Sequence, residues 1–315
     1  MARLVSSPKP PPLTYLETWR RSINKKLGRP ATADVGTLAG MFIALRDAAG
    51  LALGSTPDSV SVSQPPIPGL AAHDLADALE HAGLRNWLTA ERGQAGLYPG
   101  RLTEAHAVFA AHGQGLCADY RNLFECWEEE EQMALHTALL VGFTKGDLRT
   151  EIVRLRAPFE WSQGFVERFV DLEAGLNGMG NFQNAEAFWG HVRDGLTAVV
   201  KKAPAKLTKV MLAGESAADP RLLSALRDAL GVGGYVVVGS EGEREGEVLV
   251  LREGKDTVVE PTFASARGAA QYSRRRQEAP IGCRELERCN GERETIRAQT
   301  KHGSWELGSD RLELR

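Results

Sequence analysis

Cysteine is scarce in this chain: Cys117, Cys126, Cys283 and Cys289 are the only four among 315 residues. That is too few for a disulfide framework, and the spacings match no common zinc pattern. Reduced thiols are therefore the expected state, with a bridge or a metal as the alternatives. The sequence also lacks an uninterrupted apolar run long enough to span a bilayer. Its opening MARLVSSPKPPP has no apolar segment of the kind a secretory signal carries. Neither sign of charge dominates: 38 Lys and Arg against 41 Asp and Glu leave a net −3. That balance gives no general affinity for nucleic acid or for an anionic membrane. The expected compartment is the cytoplasm, or else the nucleus.

What is present is ordinary for a globular protein, 43% hydrophobic and 25% charged, with enough chain for two lobes. Residues 1–12 are proline-rich and expected to stay disordered. Residues 15–27 place Leu16, Trp19, Ile23 and Leu27 at helical spacing. Residues 32–53 form a longer helical pattern with Leu38, Phe42, Leu45, Ala49 and Leu53 on one stripe. Inside it, Asp34-Val35-Gly36-Thr37 imitates a phosphate-gripping turn, but its flanks are helical and would use those amides themselves, so it is set aside. A short strand at 60–63 and a helix at 70–83 follow. A further helix at 103–111 is expected to be capped by Thr103 and ended by Gly113. The acidic run 128–131 reads as a solvated helix face, with a metal site or a basic partner's site as the alternative.

Residues 137–143 and 148–155 read as two strands joined by the turn Thr144-Lys145-Gly146-Asp147. Residues 172–184 read as loop, and 185–200 as a helix with an aromatic core stripe. At 210–220, three apolar residues lead into Gly214 and a short polar turn, before a periodic segment that runs to Leu230. This predicts strand, tight turn and helix start. Gly214 has no Cβ to hold a ligand away from the backbone, and the free amides at the head of the next helix favour an anion. Strands follow at 235–238, 247–251 and 257–259. The last helix, 263–278, is rich in small residues and ends in Arg274-Arg275-Arg276, a solvated face or a phosphate contact. His106, His112, Asp147, Glu173 and Glu215 are the candidates for acid–base chemistry, and no pair among them has a compelling spacing.

The order of these pieces resembles the actin-like ATPase superfamily, most closely the nucleotide-binding domain of the seventy-kilodalton heat-shock chaperones. The helix and Val-Ser-Val-Ser-Gln-Pro-Pro of residues 39–66 look like the chaperones' helix and "valine-threonine-valine-proline" strand. Residues 75–84, ending Ala82-Gly83-Leu84, look like the helix that follows. Thr103-Glu104-Ala105 to Gly113 resembles their Glu-Pro-Thr-Ala-Ala helix, and residues 210–220 are similar to their adenosine motif, Gly-Gly-Ser-Thr-Arg-Ile-Pro. Residues 261–270 look like the small-residue helix that closes the fold. The surroundings of Cys117 and Cys126, with residues 274–283, look like a divergent fungal branch. The resemblance covers roughly residues 14–283.

The resemblance implies an α/β protein with an incomplete actin-like (ribonuclease H-like) fold, two related lobes with mixed sheets flanked by helices. Residues 13–136 would be a truncated first lobe, 137–282 a second lobe with the adenosine-like motif, and 283–315 a C-terminal extension. It implies a vestigial nucleotide groove at Gly142, Thr144, Gly214, Glu215 and Ser216. The departures from the pattern are specific. The chain would begin after the first phosphate hairpin and lacks the catalytic lysine segment. Phe143 and Lys145 intrude on the second phosphate hairpin, Glu215 replaces a glycine, and Ala218 stands where an arginine would stack on adenine. Phosphoryl transfer depends on positioning and charge neutralisation. The expectation is therefore an inactive binding or scaffold protein with no cofactor and no catalytic or metal residues, receiving a protein or small molecule between the lobes. The alternatives are a weak ATP/ADP-binding switch and an unrelated enzyme on this fold. An exposed sheet edge is expected to be covered by the helix at 15–27, by the C-terminal tail or by a second copy of the chain.

Overall fold

The computed structural model describes residues 13–67, 69–90, 102–157, 165–238, 247–250 and 259–278. The expectations for residues 1–12, for a strand at 257–259 and for 283–315, with Cys283 and Cys289, lie wholly or mostly outside them. In chain order come α1 (Tyr15–Lys26), α2 (Ala33–Leu53), β1 (Ser59–Val60), β2 (Ser63–Gln64), α3 (Ala72–His81), β3 (Arg85–Asn86), α4 (Trp87–Ala90), β4 (Leu102–Thr103), α5 (Glu104–Ala111) and α6 (Leu123–Gln132). There follow β5 (His136–Phe143), β6 (Leu148–Leu155), β7 (Phe165–Asp171), a 3₁₀ helix (Leu176–Asn181), α7 (Ala185–Lys201), β8 (Lys209–Ala213), α8 (Pro220–Val232), β9 (Val236–Val238), β10 (Glu247–Val250) and α9 (Ala264–Glu278). The class is α/β.

The architecture centres on a six-stranded mixed sheet ordered β7-β6-β5-β8-β10-β9. β5, β6 and β7 form an antiparallel meander, and β8, β10 and β9 run parallel to β5. Both faces of the central strands are buried, and the period of two distributes their side chains between two cores. Leu139, Val141, Phe143, Leu148, Ile152, Val210 and Leu212 face α7 and α8. Ala138, Leu140, Val153, Leu155, Met211 and Ala213 face α5 and Ala264 of α9. Each fully buried aliphatic side chain contributes about 1.5–3 kcal/mol, so these two layers dominate the stability.

The local signals behind the elements are those of the sequence. Thr103 caps α5, its hydroxyl accepting from the His106 amide, and Asn184 caps α7 by accepting from Ala187. Asp219 caps α8 with Pro220 at the first position. Asp34-Val35-Gly36-Thr37 lies inside α2, as its flanks require.

Three expectations are corrected. The first segment does not build a broad sheet among the described residues: β1 pairs with β3 and β2 with β4, each over two residues. Its α5 instead packs on the large sheet, so the core of the second segment draws on the first. The stripe assigned to α2 is rotated, because Val35 and Ala39 are buried while Leu45 and Leu53 are exposed. By length and composition alone α2 could cross a membrane. Mid-helix, however, Arg46 donates 2.6 Å to the Ala82 carbonyl, which ties α2 to the end of α3. Cys117 and Cys126 form a disulfide, with Cα atoms 5.2 Å apart, in place of reduced thiols. Of the three candidates to cover a sheet edge of the first lobe, the 15–27 helix is the one that the described residues include. It is held on α3 by Arg21–Asp74, Arg21–Asp77 and Lys25–Asp77 ion pairs of 2.6–3.0 Å. These pairs raise the Lys25 pKa through Glu80 and Asp77; Asp77 is lowered, as the hydrogen bonds from Lys25 and Arg21 outweigh its desolvation.

The small residues of α9 do permit close packing. A Cβ on Gly268 would stand 1.6 Å from the Ala107 carbonyl oxygen of α5. Gly268→Ala must therefore pry two helices apart and should cost about 3 kcal/mol. Gly231→Ala, on α8 with open space around it, should be neutral or mildly stabilising. Urea midpoints of the two variants check this, and equal midpoints would contradict the packing described.

Candidate functional site

The hairpin turn Thr144-Lys145-Gly146-Asp147 stands at the end of β5, where Gly142 pairs with Ala213 of β8. This brings Gly142, Thr144, Gly214, Glu215 and Ser216 together, as the sequence implied. What they surround differs from the expectation.

Each amide of the turn is already used. Thr144 N donates to the Asp147 carbonyl at 2.9 Å. Lys145 N donates to Glu215 Oε1 at 2.8 Å. The Gly146 and Asp147 amides donate to Thr144 Oγ1 at 3.1 and 3.0 Å, and that hydroxyl donates in turn to Asp147 Oδ1. The turn's carbonyls are used as well: Thr144 O accepts from Leu176 N at 3.1 Å and Lys145 O from Asn177 N at 2.8 Å. An anion arriving here meets amides that are already committed, and a carboxylate beside them.

The glycines are explained by the chain's own approach. Gly214 has φ +102°, and a Cβ there would stand 2.4 Å from the Phe143 carbonyl oxygen. The space imagined for a ligand is filled by the end of β5, to whose Phe143 carbonyl Ser216 N donates at 3.1 Å. A Cβ on Gly175 would lie 2.3 Å from the Gly146 carbonyl carbon, so the 172–184 segment clamps the turn from another side. Over Gly142 lies the Arg149 side chain, its Cγ 2.6 Å from where a Cβ would be. At the head of α8, Asp219 accepts from Arg221 N at 2.8 Å and itself supplies the anion that this helix end favours.

Arg149 is the residue that the sequence did not single out. Its Nε and Nη2 donate to the two Glu104 oxygens at 2.8 and 2.7 Å, while Nη1 reaches both Asp147 oxygens at 2.9 and 3.0 Å. Ser265 of α9 adds a 3.3 Å bond to Glu104. All three charged residues are buried. Burial alone would lower the guanidinium pKa, but Glu104 and Asp147 raise it above its ordinary value. The available signal was the β6 sequence LRTEIVRL, where Arg149 and Glu151 fall on the same buried face. Two charges on a buried strand face require partners. Glu151 meets Arg168 at 2.7 Å, and its pKa is nevertheless raised by burial.

The acid–base candidates sit in different local settings, with His112 buried at the end of α5. Asp147 belongs to the Arg149 network, Glu215 to the Lys145 amide, and Glu173 is exposed. His106, on α5, has Nδ1 against the Thr103 hydroxyl, and burial pushes its pKa down to about 4. The arginines of α9 are engaged within the protein. Arg274 pairs with Glu278 at 2.6 Å, Arg275 lies over the Tyr120 ring and donates to the Cys117 carbonyl, and Arg276 lies over Tyr272. The acidic helix face at 128–131 lies on α6, where Glu129 accepts from the Ala118 amide and Glu130 approaches Cys126 Sγ at 3.7 Å. Cys117, Cys126 and Glu130 could together hold a metal only if the disulfide were open.

No family model matches the chain, and no curated protein matches it significantly.

Arg149→Met strands two buried carboxylates and should destabilise by about 3–5 kcal/mol. Arg149→Lys should rescue only part of this, because an ammonium cannot reproduce the forked contacts. Urea unfolding of both variants checks it, and a midpoint for Arg149→Met equal to wild type would contradict the network. For His106 the folded pKa lies below the unfolded one, so the unfolded chain binds more protons as pH falls. Stability should decline from pH 6.5 to about 4 by about 2 kcal/mol, after discounting for partial exposure of the ring. His106→Gln should remove that part of the slope in urea titrations across the range.

Proposed function

We propose that this chain is a catalytically inactive relative of the chaperone-type actin-like ATPases, serving as a binding or scaffold protein. Several features support the reading. An antiparallel meander is followed by a helix, a parallel strand, a second helix and further parallel strands, with helices on both faces. The strand–Gly214–helix unit abuts the end of the β5–β6 hairpin, as an adenosine motif beside a phosphate hairpin would.

The observation that carries the inactive reading is the committed state of the 144–147 turn. A polyphosphate there would have to displace Glu215 from the Lys145 amide and lie beside its carboxylate. Two like charges about 4 Å apart repel by about 4 kcal/mol at an effective dielectric near 20. Phosphoryl transfer in turn needs free donors aimed at the developing charge, and losing one such donor commonly costs about 10²–10³ in rate. Arg149 cannot act as a replacement, since Nε and both Nη atoms already point at Glu104 and Asp147. The resident chemistry of this site is structural. Recognition of a protein or small-molecule partner, with no bound cofactor, is the function it leaves.

Thermal denaturation with and without millimolar Mg-ATP or Mg-ADP tests this, because a ligand that binds the native state raises the melting temperature. The expected result is no shift and no phosphate release. A rise of several degrees that Ser216→Ala abolishes would replace this reading with that of a nucleotide-holding protein.

A further inference from the structure

Helix α1 faces the wrong way for a helix that exists only to pack. Its inward face is ionic: Arg21 is buried against Asp74 and Asp77, and Lys25 reaches Asp77 and Glu80. Its outward face is apolar, with Tyr15 84%, Leu16 69% and Trp19 56% exposed and Leu27 just beyond the helix 61% exposed. At 100° per residue, Tyr15, Trp19, Ile23, Leu16 and Leu27 fall within an arc of about 120°. Arg21 and Lys25 lie opposite that arc. Lys26 falls inside it near Tyr15, and Arg20 borders it beyond Leu27. Both cations are exposed, and neither forms an ion pair among the described residues. A capping box, in which Thr14 and Glu17 bond reciprocally, fixes the helix start without any partner.

We infer that α1 is a docking surface for an anionic phospholipid membrane, lying flat with Trp19, Leu16 and Tyr15 in the headgroup layer. Two observations favour this occupant over a second copy of the chain. The first is area. Twelve residues of helix are about 18 Å long, and a face about 10 Å wide gives roughly 180 Å², against roughly 800 Å² per partner for a stable protein interface. A bilayer surface has no such minimum. The second is chemistry, because an aromatic and aliphatic stripe flanked by Arg and Lys is what an interfacial helix presents to acidic headgroups. The net charge of −3 averages over this local feature: Arg21 and Lys25 are neutralised by the α3 carboxylates, and the exposed Arg20 and Lys26 stand against Glu17, which is held in the capping box. The ion pairs to α3 let the helix stay attached to the fold while its other side enters the interface. This inference is independent of the nucleotide reading above.

The test is co-sedimentation of the full chain with vesicles of pure phosphatidylcholine and of phosphatidylcholine with 30% phosphatidylserine. The unaltered protein should pellet with the anionic vesicles only, and binding should fall at least tenfold between 0.1 and 0.5 M salt. Leu16→Glu/Trp19→Glu and Arg20→Glu/Lys26→Glu should each reduce binding at least tenfold, with unchanged circular dichroism and melting temperature, since all four positions are exposed. No binding to the anionic vesicles, or binding that Leu16→Glu/Trp19→Glu leaves unaltered, would overturn the inference. So would a concentration-dependent dimer in sedimentation velocity that the same double variant dissolves, since a second copy would then occupy the face. The lipid-composition and salt arms use the unaltered chain, so their outcome is decisive however the variants fold.

Discussion

The forked contact between Arg149 and the carboxylates of Glu104 and Asp147 is the interaction on which the arrangement at the centre depends. It joins β6, α5 and the hairpin turn through one buried guanidinium, and through Ser265 it reaches α9. Three buried charges are costly to desolvate, and such a group is retained only where almost every donor and acceptor finds a partner. Here it does, and the Arg149 stem also covers Gly142. The turn above it is fixed in the same way, by its own Thr144 hydroxyl, by Glu215 and by the 172–184 segment. A site whose donors are all satisfied internally is rigid, and it has nothing left to offer a ligand that needs the same donors.

This explains why the sequence was legible up to the site and misleading at it. Gly214, at the end of an apolar strand and before a helix, signals that something approaches the backbone closely. That signal does not say whether the approaching group is a phosphate or the Phe143 carbonyl, and the backbone geometry is the same for both. The hairpin, α5, α7, α8 and the strand at 209–213 were readable because periodicity and capping residues agree over their lengths. Strand β7 was not. It is an edge strand whose described side chains are half-buried or exposed, so no period of two emerges from FVERFVD. The 3₁₀ helix was hidden in a glycine- and asparagine-rich stretch that has no periodicity. The Arg149 network escaped because its members come from positions 104, 147 and 149, and no local pattern links a helix start to a strand that far along the chain.

Periodicity also has a limit that α1 and α2 expose. It identifies an apolar stripe but not the surface that the stripe meets. In α7 the stripe of Phe188, Val192, Leu196 and Val199 meets the sheet and is buried. In α1 the same kind of stripe points outward, because the ionic face finds Asp74, Asp77 and Glu80 on α3. The choice was made by acidic residues some fifty positions away, which a reading of α1 by itself cannot register. In α2 the buried pair Val35 and Ala39 leaves Met41, Leu45 and Leu51 exposed on other sides, so that helix too has more apolar surface than the described fold covers.

These two regions make opposite demands, and the contrast bears on function more directly than either does alone. At the hairpin turn the amides and the Arg149 donors are taken up and the packing is closed, with Gly175, Gly214 and Gly268 each filled by neighbouring backbone. At α1 and α2 the polar groups that face α3 are paired, while large apolar side chains stay exposed. The hydrophobic effect supplies most of the drive for association, while a satisfied hydrogen-bond donor supplies almost none. Among the described residues, the exposed large apolar side chains are concentrated at the two N-terminal helices and absent from the hairpin turn. Helix α3, through its carboxylates, then holds the apolar side of α1 outward, where a partner can reach it.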